Sequence, residues 1–358
     1  MTDRRAFPGQ AGRPYDPAAM PDIDEPVPEA IMSTVDRAIL EMTDGILRVQ
    51  APLGDRANSL YVLVADHPIL LFDTCTAPDP AGTLAPALRD RGLDPAALRF
   101  VIDSHTDVDH MGGNRAVRGL APSAVFMCGE GDRALVEDVE RIIVERYGEF
   151  SADHAIALEP GMADWCRSVA QDTPMDVGLT GGERLRIGGD WVVEVIATPG
   201  HSAGSVSLYD PRSRALLIGD GILGSFVPTP DGRAAFPPTY RDVDAYLATI
   251  ERVERLAPDV LLAGHEPVKR GEAVLHFLVA SRDFATRLEA AVRDAVARTR
   301  WTLSDLALDL GPRFGDWPAE AHPIMRFPLL GHLERLVARG EARVDRETGR
   351  LVYGAVRP

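Results

Sequence analysis

Short apolar runs of four to six residues recur along the first three quarters of the chain, each closed by a polar or glycine-rich turn. The runs at 46–49, 59–64, 68–72, 98–102, 124–127, 191–196, 215–218 and 260–263 have the length and continuity of buried strands. Helical spacing appears between them. Residues 81–91 predict a helix, and 133–147 another, with Leu135, Val136, Val139, Ile142 and Ile143 on one side. Residues 150–175, with Trp165 and Cys166, read as an irregular insertion. From 176 to 209 the pattern predicts hairpin strands with turns at Gly181-Gly182 and Gly188-Gly189. A proline-rich loop over 226–238 leads to a helix over 240–256, with Tyr240 an exposed loop residue ahead of it. The last quarter changes style. Helices are expected at 272–298, at 303–310 with Thr302 or Ser304 as N-cap, and at 322–339. A β-hairpin around Thr348-Gly349 follows. At the other end, residues 1–30 are rich in Pro, Gly and Asp and read as a mobile arm, with a short helix over 26–42.

The polar residues that close the strands carry the chemistry. After 98–102 comes Ser104-His105-Thr106-Asp107-Val108-Asp109-His110-Met111-Gly112-Gly113. In extended backbone, side chains two apart point the same way, so His105 and Asp107 can share one ion. Asp109 and His110 follow as the chain turns and reach a second ion. Gly112 and Gly113 are expected to let the backbone turn tightly beneath. Three more ligand types sit just after strands, each beside a glycine: His201 in Thr198-Pro199-Gly200-His201, Asp220 in Gly219-Asp220-Gly221, and His265 in Gly264-His265-Glu266.

Over residues 45–267 this constellation resembles the metallo-β-lactamase superfamily of hydrolases. Their pattern is His-x-His-x-Asp-His, then Gly-His, then an Asp after a strand, then a final Gly-His. The resemblance implies an αββα sandwich, two mixed sheets face to face with helices outside and the active site at one edge. It implies two divalent metal ions. His105, Asp107 and His201 would hold the first; Asp109, His110 and His265 the second; Asp220 would bridge them. Asp73, in Asp73-Thr74-Cys75 where the family has Asp-Thr-Gly, would orient a ligand from behind. A metal-bridging hydroxide would be the nucleophile, aimed by Asp109. Zinc is the family's usual metal. Asp107 stands where most members have His, and a carboxylate there shifts preference toward manganese or iron. Flavodiiron proteins and competence-type nuclease domains also carry an acid at this position.

Composition narrows the rest. The chain has 358 residues and a net charge of −16, which opposes a large nucleic-acid footprint. No run of eighteen apolar residues suggests a membrane span, and no apolar core follows Met1-Thr2-Asp3-Arg4-Arg5. Three scattered cysteines, Cys75, Cys128 and Cys166, read as packing residues in a reducing, cytoplasmic setting. The expected organisation is an arm over 1–30, a catalytic domain over 31–268 and a winged-helix-like module over 269–358. That module resembles the C-terminal piece of endoribonuclease-like, glyoxalase-II-related members. It carries 15 basic and 12 acidic residues, about +3 against −19 for the remainder. A packing or homodimer role is favoured over a nucleic-acid face. The expected activity is metal-dependent hydrolysis of a small-molecule thioester, lactone or related ester. The alternatives are a phosphodiesterase or ribonuclease and, ranked low, a di-iron redox protein.

Overall fold

The computed structural model describes residues 39–356. Two sheets form its centre. The first has seven strands in sequence order: Leu40–Thr43, Ile46–Leu53, Arg56–Val64, Pro68–Phe72, Phe100–Asp103, Val125–Gly129 and Val177–Leu179. The early strands pair antiparallel, and those from Pro68–Phe72 onward pair parallel. The second sheet has six strands in the order Lys269–Arg270, Val260–Ala263, Ala215–Gly219, Val206–Asp210, Trp191–Ala197 and Arg184–Gly188.

Period-two alternation explains how the sheets stack. Leu70 and Phe72 point into the core between the sheets, and Leu71 points outward. On the second sheet Leu217 and Leu262 face inward, while Leu216, Ile218 and Leu261 face out. Both faces of these central strands are therefore buried, which is why the sequence shows continuous apolar runs there rather than alternation. Helices cover the outer faces, and the layers are α, β, β, α, as the resemblance implied.

Several expectations need correction. The arm over 1–30 lies outside the described residues, as does most of the helix expected over 26–42; the end of that segment, Leu40–Thr43, is a strand. Residues 150–175 are not irregular throughout, since Ser151–His154 and Met162–Val169 are helical. The helix expected over 133–147 is three pieces, Arg133–Val136, Val139–Arg141 and a π-helical turn Ile142–Tyr147. The Asp138 side chain caps the second piece by accepting from the Arg141 N–H, and this divides the run. Gly181-Gly182 is not a hairpin turn: Val177–Leu179 completes the first sheet, and the chain then crosses to the second. The loop over 226–238 holds a small ribbon, Val227–Pro228 with Ala234–Phe236. Gly112 and Gly113 have ordinary helical φ of −59° and −76°. Their lack of a side chain serves close packing instead, because a Cβ at Gly112 would meet the Val169 carbonyl oxygen at 2.3 Å and one at Gly113 the Thr74 carbonyl oxygen at 2.3 Å.

Tyr240 is the largest reversal. It is fully buried, not an exposed loop residue, and its hydroxyl hydrogen-bonds His332 Nε2 at 2.9 Å. His332 belongs to the C-terminal helix Arg326–Ala338. A loop tyrosine is buried here because the tail covers it.

The tail begins with Glu272–Arg298, followed by Leu303–Phe314, capped by Thr302 through its hydroxyl. A 3₁₀ turn over Ala319–Met325, the helix Arg326–Ala338 and the hairpin Ala342–Glu347 with Arg350–Ala355 complete it. Phe277, Leu278, Phe284 and Leu288 share one core with Tyr246 and Ile250 of helix Val243–Leu256 and with Leu216 and Leu261 of the second sheet. The apolar core thus runs across residue 269. Leu275, in contrast, is 56% exposed and lies outside this core. Among the described residues no helix is long and apolar enough to cross a membrane.

A consequence can be measured. Truncation after Arg270 is expected to leave the outer face of the second sheet and helix Val243–Leu256 uncovered. The remaining chain should aggregate or lose its near-ultraviolet circular dichroism. A soluble, monodisperse core with native dichroism would show that the tail is not needed to close this core.

Candidate metal centre

The strands aim their carboxyl ends at one edge. Within the first sheet Pro68–Phe72 and Phe100–Asp103 are parallel; within the second, Ala215–Gly219 and Val260–Ala263 are parallel. Trp191–Ala197 runs the same way, being two antiparallel steps from Ala215–Gly219. Asp73, His105, His201, Asp220 and His265 each follow the end of one of these strands. They converge because parallel neighbours finish on the same side.

The first loop delivers four ligands with two geometries. Asp107 is extended, at φ −68° and ψ 139°, and precedes the short helix Val108–Met111. Asp109 and His110 lie on that helix, not on an open loop. The seven expected positions come together as three overlapping groups: His105, Asp107 and His201; Asp109, His110 and His265; and His105, His110 and Asp220. Within each group the ligand atoms lie within 4.8 Å of one another. At Gly264 a Cβ would stand 2.6 Å from both Asp220 Oδ1 and His110 Cε1, so only glycine allows this closeness.

Hydrogen bonds behind the rings fix which nitrogen faces inward. Asp73 Oδ2 accepts from His110 Nδ1 at 2.9 Å, and its Oδ1 accepts from the Ser104 N–H at 2.7 Å. The Ser104 hydroxyl donates its single hydrogen to Asp73 Oδ2 at 2.9 Å, so it accepts from His105 Nδ1, also at 2.9 Å. His265 Nδ1 donates to the Ala57 carbonyl at 3.2 Å, and His201 Nδ1 meets the Thr239 hydroxyl at 3.3 Å. The His105, His110 and His265 rings therefore spend their Nδ1 hydrogens outward, and all four rings turn Nε2 to the centre.

That arrangement fits metal ions. His110 Nε2 and His265 Nε2 face each other at 3.3 Å, with Asp109 Oδ2 3.3 Å from His265 Nε2. Asp220 places one oxygen 3.7 Å from His110 Nε2 and the other 3.5 Å from His265 Nε2. A cation placed among these atoms would be shared by imidazole nitrogens and carboxylate oxygens together. Buried His105 Nε2 and Asp220 Oδ1 have no hydrogen-bond partner. Among acidic, oxygen-rich and imidazole donors without thiolate, divalent zinc, manganese and iron are all accommodated.

The two halves differ electrically. Around the second, burial opposes charging of the histidines, but Asp220, Asp109 and Asp73 outweigh it and push His110 well up. His265 is likewise raised, by Asp220 and Asp109 against burial. A field that draws a proton so strongly also draws a metal. Around the first, burial lowers His201, and Arg146 adds to the lowering. Burial alone would raise Asp107, but the Arg146 guanidinium holds it well below the usual carboxylate range.

Sequence reasoning did not anticipate Arg146. It arrives from the π-helical turn Ile142–Tyr147, with Nε 2.9 Å from Asp107 Oδ1 and Nη2 3.1 Å from Asp107 Oδ2. The neighbouring Tyr147 hydroxyl accepts from the Val108 N–H at 3.1 Å and pins the ligand loop. Ser104 and Thr239 were also missed. Ser104 had a signal, its place beside His105; Arg146, Tyr147 and Thr239 had none. The acid at position 107 therefore has a protein partner, besides any effect on metal preference.

Comparison with known proteins agrees with this picture. The family model for the metallo-beta-lactamase superfamily matches residues 53–265. Among curated proteins, the hydroxyacylglutathione hydrolase of Brucella anthropi is 28% identical over 165 residues, 46% of this chain and 47% of that protein. The Brucella ovis counterpart is 26% identical over 166 residues, 46% and 48% of the two chains. The chain thus spans about half the length of the curated relatives it matches. Among solved structures, a metallo-beta-lactamase family protein from Thermus thermophilus superposes with a TM-score of 0.70 at 21% identity, covering 88% of this chain and all of the other. A beta-lactamase domain protein from Burkholderia ambifaria gives 0.70 at 19% identity, covering 90% and 94%. With the family model matching more than half of its length, this chain belongs to the metallo-beta-lactamase superfamily.

Proposed function

We propose that the chain is a metal-dependent hydrolase of a small thioester, lactone or related ester. The observation that carries this reading is the set of four inward Nε2 atoms and three carboxylates meeting at the strand ends. His105, Asp107 and His201 would hold one divalent ion and Asp109, His110 and His265 another, with Asp220 reaching both. Ions held there would polarise the scissile carbonyl and make a water acidic enough to attack at neutral pH.

The chain's own groups do the rest. The Asp109 carboxylate would accept a hydrogen bond from the attacking water and direct it. Asp73 and Ser104 hold the His110 and His105 rings in register from behind. No cysteine competes as nucleophile: all three are buried, and burial pushes their thiols up, to about 12 at Cys166.

The thioester preference draws support from the relatives named as hydroxyacylglutathione hydrolases, which match 46% of this chain. A small substrate is also favoured over RNA by the tail, where two of the hairpin's three arginines are already paired. Arg343 bonds Asp345, to which Arg300 from outside the hairpin also bonds, and Arg346 bonds Asp153. Zinc fits the family; manganese and iron fit the carboxylate at Asp107.

The test is a panel of thioester, lactone and phosphodiester substrates. It is run on chelator-treated protein and on protein reloaded with zinc, manganese or iron. Hydrolysis of a thioester or lactone that vanishes on chelation and returns on reloading is the expected result. Activity confined to phosphodiesters, or activity indifferent to chelation, overturns the reading.

A further inference from the structure

In the first half of the centre His201 Nε2 and Asp107 Oδ2 stand 2.9 Å apart. Arg146 Nη2 stands 3.1 Å from each. A guanidinium only donates, so it gives hydrogens to Asp107 and crowds His201 Nε2 with positive charge. Its Nε closes a two-point fork on Asp107, and its Nη1 donates to the His201 carbonyl at 3.1 Å. The side chain is held there. It is nearly buried, its guanidinium lies 5.4 Å from the ring centre of Phe327, and it comes from a six-residue π-helical turn. The third residue of this half, His105, is left with an unpartnered Nε2.

The second half has no such guest. Asp109, Asp220 and, behind His110, Asp73 supply negative charge there. Among the described residues, no arginine or lysine hydrogen-bonds or ion-pairs with the side chains of Asp109, His110, His265 or Asp220. The first half holds one carboxylate already matched by one guanidinium.

We infer that Arg146 is an in-built cation of the first half-site, so that the two half-sites fill in order. This rests on the metal-centre reading above. The Asp109, His110 and His265 half binds its ion first and tightly. The His105, Asp107 and His201 half binds later and weakly, because its ion must displace Nη2 from Asp107 and His201 and then sit beside a positive charge. Arg146 is thus a positioning residue that governs how many ions the protein carries at a given metal concentration.

Calorimetric titration of chelator-treated protein with zinc and with manganese tests this, with bound ions counted by elemental analysis. The wild type should show two steps separated by at least about 100-fold in affinity, the size expected when a buried unit charge is placed against an incoming cation. Arg146→Met should tighten the weaker step by about tenfold or more and leave the tight step unchanged. Survival of the tight step also reports that the variant is folded. Arg146→Lys keeps the charge but loses the fork, and should tighten the weaker step by a smaller factor. It carries the test alone if Arg146→Met does not fold. Two equal steps in the wild type, or a folded variant whose weaker step is unmoved, overturns the inference while leaving the metal reading standing. Absence of binding in every protein overturns the metal reading and the inference with it.

Discussion

Asp220→Asn lowers turnover by about 10²-fold or more, roughly 3 kcal/mol of transition-state stabilisation, with the fold intact. The carboxylate lies between the two halves of the centre. It groups with His105 of the first half and His110 of the second, its oxygens lie 3.7 Å from His110 Nε2 and 3.5 Å from His265 Nε2, and Oδ1 is buried without a hydrogen-bond partner. Burial opposes its ionisation, yet the surrounding histidines hold it below the usual carboxylate range. Asparagine keeps the shape but offers one oxygen, no charge, and an amide that donates where only acceptors stand. Asp220→Ala should behave nearly as badly, losing ions most from the half that contains His110 and His265. Turnover and metal content of both variants, with circular dichroism as the folding control, decide the point. Full activity with two bound ions in either variant would remove Asp220 from the bridging role.

Asp73→Asn should weaken metal binding by about 10- to 100-fold without touching any expected ligand. Asp73 is buried, sits at φ 64°, and accepts from His110 Nδ1, the Ser104 N–H and the Ser104 hydroxyl. Through Ser104 it also fixes His105. Asparagine tolerates the left-handed backbone well, so the loss would not come from strain. It comes from chemistry: an amide cannot accept all three hydrogens, and its N–H₂ confronts another donor. His110 or His105 then turns, or changes the nitrogen that carries its hydrogen. Metal affinity should fall while the melting temperature of the metal-free protein changes little. An unchanged affinity would mean that the rings are positioned by the strand ends alone.

Much of this was readable because ligands at strand ends leave a local signature: an apolar run, a polar side chain and a glycine. His105 and Asp107 have the two-residue spacing of extended chain, and the structure keeps Asp107 extended. The sandwich was legible for the same reason, since runs apolar on both faces must lie between layers. What stayed hidden depends on partners distant in sequence. Arg146 lies on an amphipathic stretch that reads as an ordinary helix, and only the π-helical turn directs it to Asp107. Tyr240 looked like a loop residue because nothing near it in sequence reveals that His332 will cover it 92 positions later. Val177–Leu179 looked like part of a hairpin because period two does not say which sheet a strand joins.

The most direct measurement is native mass spectrometry of the protein reloaded with zinc or manganese, beside a His110→Ala, His265→Ala double variant. Two ions per chain at saturation in the wild type, and no tightly held ion in the folded double variant, is the expected result. Equal ion content in both, or none in either, would contradict a metal centre at these residues.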